Sequence, residues 1–108
     1  MNWLLLILIA LLQSAPSPSV VEVSAKRFEF TPKEIHLRAG EPVTFRLRTE
    51  DVTHGFFSRK LKLDADVAPG QPTDVTITPD AAGTFTVICD HFCGAGHGNM
   101  KMKVVVEE

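Results

Sequence analysis

From Val20 onward, apolar and polar residues alternate over short stretches that are separated by turn residues. This period of two is typical of half-buried β-strands, and no window shows a helical periodicity long enough for a substantial helix. The apolar positions that mark the strands are Val21, Val23, Phe28, Phe30, Ile35, Leu37, Val43, Phe45, Leu47, Leu61, Leu63, Val75, Ile77, Phe85, Val87, Val104 and Val106. Seven or eight short strands at this spacing predict an all-β chain folded as a Greek-key sandwich.

The N-terminal part of the chain has a different pattern. Trp3 to Leu12 is an unbroken apolar run, followed by a linker rich in Ser and Pro. A ten-residue helix is about 15 Å long, roughly half the thickness of a bilayer core. We therefore expect residues 1–19 to be a signal peptide or a short membrane anchor, with membrane association through residues 3–12. Export would place the domain, residues 20–108, in the periplasm or on the extracellular face of the membrane.

Composition and charge narrow the class of protein. The chain has 108 residues, with 11 Lys and Arg against 13 Asp and Glu, and every charged side chain lies at or after Glu22. This length allows one domain and excludes a dinucleotide-binding domain or a TIM barrel. The formal net charge of −2 comes without a basic run, which argues against nucleic acid as a partner.

The candidate chemistry is concentrated in residues 89–100, with the sequence CDHFCGAGHGNM. This segment contains both cysteines, two of the four histidines and one methionine. Its glycines allow the backbone to turn tightly, so that several side chains can converge on one point. Thiolate, imidazole and thioether groups together suit copper, whereas zinc more often takes four Cys and His ligands and calcium or magnesium prefers oxygen. The segment therefore predicts a copper site.

A disulfide is the alternative interpretation of the two cysteines. Two Cys in an exported protein usually pair, and a Cys89–Cys93 bridge would be the oxidised resting form of the metal-free protein. Such a bridge closes a very short loop and stabilises the fold little. It also leaves His97 and Met100 without a reason for their spacing.

The other histidines and Met102 need separate interpretations. His36 occupies the polar position of a predicted strand and is expected to face solvent. His54 lies in the predicted loop after the strand of Phe45, at a place that could reach the same end of the sandwich as residues 89–100. His91 could face a metal through its side chain or its carbonyl. Met102 has the parity of the last strand's apolar residues, which favours core packing.

Further motifs complete a resemblance to a known family. They are Asp51-Val-Thr-His54, the stretch Leu61–Gly70 with Asp66 and Ala68-Pro69-Gly70, and Cys89-x3-Cys93-Gly94-Ala95-x-His97-x2-Met100. With these motifs, residues 43–106 resemble the copper-binding domain of cytochrome c oxidase subunit II. That domain is a cupredoxin, which holds the dinuclear copper centre called CuA, and nitrous oxide reductase carries a similar motif. The resemblance implies a cupredoxin-like β-sandwich for residues 20–108.

The resemblance also implies a ligand set, position by position. Two bridging thiolates, two imidazoles and two weaker axial donors would hold two copper ions in a dinuclear CuA-like centre. In this sequence the implied donors are Cys89 and Cys93 as thiolates, His54 and His97 as imidazoles, and Met100 and the backbone carbonyl of His91 as axial ligands.

The implied function is transfer of single electrons, with a c-type cytochrome or a terminal oxidase as the redox partner. No pair of nucleophile and base is recognisable and six donors leave no open coordination position, so an electron carrier is favoured over a catalyst. The alternative is an exported copper chaperone, in which the same residues and Met102 capture copper for delivery to an oxidase. A single-copper site that uses one Cys would leave the second thiol unexplained.

The sequence departs from the family pattern in three respects. Subunit II normally has transmembrane helices ahead of this domain, whereas this chain offers a ten-residue apolar run, so we expect a stand-alone exported carrier or a small subunit-II-like module. His91 stands where the family often has a Glu that serves a magnesium site. Beyond Trp3 the chain has no Trp or Tyr, so it lacks the aromatic residues through which the oxidase receives electrons.

Overall fold

The computed structural model describes residues 18–108, so the predicted leader lies outside the described residues except for its last two positions. The described part contains nine strands and a short 3₁₀ helix. The strands are β1 (Ser19–Lys26), β2 (Glu29–Thr31), β3 (Glu34–Arg38), β4 (Val43–Thr49), β5 (His54–Ser58), β6 (Leu63–Val67), β7 (Thr73–Ile77), β8 (Gly83–Ile88) and β9 (Lys101–Glu107), and the 3₁₀ helix is His97–Asn99.

The strands form two sheets around one hydrophobic core, which confirms the predicted all-β class. One sheet has the strand order β2-β1-β4-β7 and the other the order β3-β9-β8-β5-β6. Strands β1 and β4 pair in parallel, as do β3 and β9, and the remaining neighbours are antiparallel. Between residues 18 and 108, no helix has the length and apolar character needed to cross a membrane.

Strand β4 shows how the alternation places the core. Val43, Phe45 and Leu47 are at most 3% exposed and lie in the core. The outer face carries polar cross-strand pairs to β7, including Arg46 with Asp74. An apolar inner face and a polar outer face are what a sandwich strand with one solvated side requires.

The structure adds one strand to the eight marked by the apolar pairs. Strand β5 covers His54–Ser58, in the stretch that we expected to be a loop. It lies inside its sheet between β8 and β6, and four of its five residues are buried. A strand covered on both faces shows no alternation of polar and apolar residues. The prediction of a loop at His54 was therefore wrong.

We expect Phe56→Ala in β5 to lower the free energy of unfolding by about 3–5 kcal/mol, because the removed ring leaves a cavity. Phe56 is completely buried, with its ring centroid 5.5 Å from that of Phe30 and 5.4 Å from that of Phe45. Urea unfolding of the metal-free protein would measure the change. The control is Ile88→Ala, at a side chain that is 43% exposed, and a loss no larger than the control's would contradict this assignment of the core.

Candidate metal centre

The candidate centre lies where strand β5 begins and strand β8 ends. Cys89 follows β8 directly and Met100 directly precedes β9. The Cys89 amide donates a hydrogen bond of 3.1 Å to the Met100 carbonyl, which extends the β8–β9 pairing by one step. Residues 89–100, called the ligand loop below, therefore start and end at one fixed point of the sheet.

The Cys89 sulfur is surrounded by three other donor atoms. Its Sγ lies 3.1 Å from the carbonyl oxygen of His91 and 3.7 Å from the Sγ of Cys93. It also lies 3.9 Å from the Nδ1 of His54, the first residue of β5. His54 has no exposed surface and Cys89 is 3% exposed, so this half of the cluster is closed to water.

The Cys93 sulfur has a second set of neighbours. Its Sγ lies 3.7 Å from the Nδ1 of His97 and 3.8 Å from the Sδ of Met100. Both cysteines are free thiols, so the structure does not contain the disulfide of the alternative interpretation. Each sulfur has its own imidazole and its own weaker donor, while the two sulfurs face each other.

Two of the side chains between the cysteines point outward. The His91 ring is exposed, and its Nδ1 lies 3.1 Å from the Phe92 carbonyl. Only the main chain of His91 faces Cys89. Phe92 is 74% exposed, and its ring centroid lies 5.8 Å from that of His97. An aromatic ring therefore lies beside His97 at the protein surface.

Asp51 orients the buried imidazole of His54. Its Oδ1 lies 2.8 Å from the Nε2 of His54, and because a carboxylate only accepts, Nε2 carries the proton and Nδ1 is left free to bind a metal. Burial acts to raise the pKa of Asp51, but hydrogen bonds from the Arg27 and Val52 amides and the His54 ring outweigh burial and hold the pKa well below its usual value. Asp51 is thus a fixed negative charge behind the centre.

The Cys93 thiol is protonated in the metal-free protein at neutral pH. Burial and the neighbouring Cys89 raise the pKa of Cys93 to about 11. A bound cation reverses this balance, because a coordinating thiol is deprotonated by the charge of the ion. Metal binding at this site therefore releases protons.

Gly55 brings strand β5 into contact with the ligand loop. Its N–H points at the Sγ of Cys89 at 3.4 Å. A Cβ on Gly55 would overlap the Asp90 carboxylate and would lie 2.8 Å from the backbone nitrogens of Asp90 and His91. Only a residue without a side chain allows this approach.

The remaining candidates of the sequence analysis lie apart from the cluster. His36 is exposed on β3, with its Nε2 2.9 Å from a carboxylate oxygen of Glu34, which confirms that it faces solvent. Met102 is 1% exposed and belongs to the core, as its parity predicted. The sequence analysis had given no role to Asp51 or Gly55, although both lie close to His54 in the chain and Asp51 opens the motif that carries the family resemblance.

Comparison with known proteins identifies the family of the chain. Residues 1–106 match the family described as the cupredoxin-like domain. The chain belongs to this family. The periplasmic domain of subunit II of cytochrome oxidase from Bradyrhizobium japonicum superposes on this cupredoxin with a TM-score of 0.77, covering 88% of each chain at 16% identity. This likeness confirms the fold.

Sequence relatives define the branch of the cupredoxins. Cytochrome c oxidase subunit 2 of Thermus thermophilus is 33% identical over 99 residues, which cover 92% of this chain and 73% of the subunit. Nitrous-oxide reductase of Cupriavidus necator is 34% identical over 91 residues, but these span only 14% of the reductase. The protein is a cupredoxin of the cytochrome c oxidase subunit II type.

The donors of this cupredoxin fit copper. The donor atoms of His54, Cys89 and Cys93 all lie within 4.8 Å of one another. Separations of 3.7–3.9 Å between sulfur and nitrogen donors can be spanned by two metal bonds of about 2.0–2.3 Å each. Thiol, imidazole and thioether are the softer donors that select copper, and no carboxylate belongs to the compact group among the described residues. The cluster supports copper binding.

We expect Gly55→Ala to lower the free energy of unfolding by about 1–3 kcal/mol, since the added Cβ must push the ligand loop away from β5. Gly98→Ala is the matched control, because a Cβ there meets no atom within 4 Å. Denaturant unfolding of both metal-free variants would measure the difference. Equal stabilities would contradict the close approach of β5 to the loop.

We expect Asp51→Asn to remove part of the acid sensitivity of the metal-free protein. Because the folded-state pKa of Asp51 is lowered from 3.8, the unfolded chain binds this proton more readily, and the free energy of unfolding falls as pH drops below about 3.8. The difference in stability between wild type and Asp51→Asn should shrink over that range. Urea unfolding between about pH 6 and pH 2.5 would measure it, and a constant difference would disprove the assignment.

Proposed function

We propose that this cupredoxin holds a dinuclear copper centre of the CuA type and carries single electrons. One observation supports the proposal above the others: two buried thiols lie 3.7 Å apart, and each has its own imidazole and its own weaker donor. Two thiols and two imidazoles already complete a four-coordinate site for one ion, so the two additional weaker donors favour a pair of ions. A copper pair bridged by two thiolates supplies a one-electron couple whose charge is spread over both metals and both sulfurs.

The residues have separate tasks in this proposal. Cys89 and Cys93 would hold the copper ions as thiolates, and His54 and His97 would bind them through Nδ1. The thioether of Met100 and the carbonyl of His91 would be the two weaker donors.

The surrounding structure keeps these donors in place. Asp51 keeps Nδ1 of His54 free for the metal through the hydrogen bond to Nε2. Strands β5, β8 and β9 hold the attachment points of the donors. Little has to move when the electron count changes, which is what fast electron transfer requires.

The relatives suggest where the electrons go. The matched proteins are named as subunits of cytochrome c oxidase and as nitrous-oxide reductase. By analogy, this protein works on the exported face of the membrane, with a c-type cytochrome or a terminal oxidase as its redox partner. The leader proposed for residues 1–19 would direct the chain there.

Copper stoichiometry and electron paramagnetic resonance test the proposal. We expect the chain, reconstituted with copper after thiol reduction, to bind two copper ions and to show hyperfine structure from one unpaired electron shared by two copper nuclei. Cys89→Ser should abolish this signal and His54→Ala should alter it, because each removes a donor from a shared pair. His36→Ala, at an exposed histidine outside the cluster, is the matched control and should retain the signal.

A different result identifies the copper chaperone. One loosely held copper ion without the shared signal, released to a chelator and insensitive to His54→Ala, would overturn the electron-transfer proposal.

A further inference from the structure

The turn between β1 and β2 contacts both segments that supply metal donors. This turn contains Arg27 and Phe28, which follow Lys26 at the end of β1. The Arg27 amide donates a hydrogen bond of 2.8 Å to Asp51 Oδ2, and the Arg27 guanidinium donates through Nε a hydrogen bond of 2.8 Å to the carbonyl oxygen of Cys93. Arg27 is therefore hydrogen-bonded both to Asp51, which supports His54, and to the main chain of Cys93.

The Phe28 ring packs on the outside of the ligand loop. A Cβ on Gly96 would lie 2.5–2.9 Å from three atoms of the ring, and a Cβ on Gly94 would lie 2.9 Å from two. The ring occupies the space that side chains at Gly94 and Gly96 would need, so the loop lies against it through bare backbone. Phe28 remains 37% exposed, which means that it covers the loop rather than filling the core.

The guanidinium carries a charge as well as a hydrogen bond. Cys93 is 4% exposed, and its carbonyl faces Arg27. Hydrogen bonds to charged donors are stronger than neutral ones. A fixed positive charge beside the cluster also favours the reduced centre, which has one positive charge less than the oxidised centre.

We propose that Arg27 is a positioning residue, which fastens the ligand loop to the Asp51–His54 segment and raises the reduction potential of the centre. Only the effect on the reduction potential rests on the proposed copper function. The fastening is a property of the polypeptide and exists without metal. Phe28 is the apolar part of the same contact.

Native-state hydrogen exchange of the metal-free protein tests the fastening. The His97 and Met100 amides donate to carbonyls within the loop, so they report its local opening. In Arg27→Met we expect them to exchange about ten-fold faster, the size expected for the loss of a charged hydrogen bond. The Val104 amide in β9 should be unchanged, which would show that the sandwich itself is intact.

Two matched variants separate charge from geometry. Arg46→Met removes an arginine whose partner is Asp74 on the outer face of the other sheet, and it should leave the loop amides unchanged. Arg27→Lys keeps the charge but has no guanidinium fork. Its midpoint potential should therefore stay close to that of wild type, while its loop amides exchange faster than those of wild type.

The potential is measured on the copper-loaded protein. Arg27→Met should show a lower midpoint potential than wild type, whereas Arg46→Met should match wild type. Loop exchange in Arg27→Met equal to that in Arg46→Met, or an unchanged midpoint potential, would overturn the inference. If wild type binds no copper pair while Arg27→Met still loosens the metal-free loop, the proposed function fails and the fastening stands.

Discussion

The structure depends on keeping two buried thiols 3.7 Å apart, in cysteines that are only 3% and 4% exposed to water. Burial favours the neutral form of the Cys93 thiol, and the neighbouring sulfur of Cys89 adds to that preference. A pair of thiolates is stable there only when positive charge is brought to it. The donors around the pair, and the hydrogen bonds behind His54, provide the place for that charge. The fold therefore keeps in place a pair of thiols whose ionised form requires a positive charge that the protein itself does not supply.

Part of this arrangement could be predicted from the sequence. Strands with one solvent-exposed face, such as β4, show the alternation of apolar and polar residues directly. The spacing of Cys89, Cys93, His97 and Met100 also indicated a converging set of soft donors. Strand β5 was missed because it is covered on both faces and has no alternation to show. Phe28 was grouped with Phe30 by parity, yet it precedes β2 and lies on the ligand loop. Contacts that join distant segments leave no local pattern.

The same reasoning explains why the supporting residues were harder to predict than the donors. A side chain that donates to copper at this site has to be a Cys, His or Met, so its chemistry is visible in one letter. Arg27 acts through a bond to a main-chain carbonyl 66 residues away, and many surface arginines look identical in sequence. Gly55 acts through the absence of a side chain. Its meaning depends on which segment lies opposite, and only the folded chain shows that.

The parallel pairs β1–β4 and β3–β9 have a consequence for the time course of folding. Strand β3 pairs with the last strand of the chain, and β9 also fixes one end of the ligand loop. Contacts between such distant parts of a chain form slowly, because a long loop must close before they contribute stability. We therefore expect the cysteines to stay accessible until β3 and β9 have paired. During that interval the redox conditions of the compartment control whether the thiols are oxidised. After folding, the burial of both thiols limits their access to external oxidants and reductants.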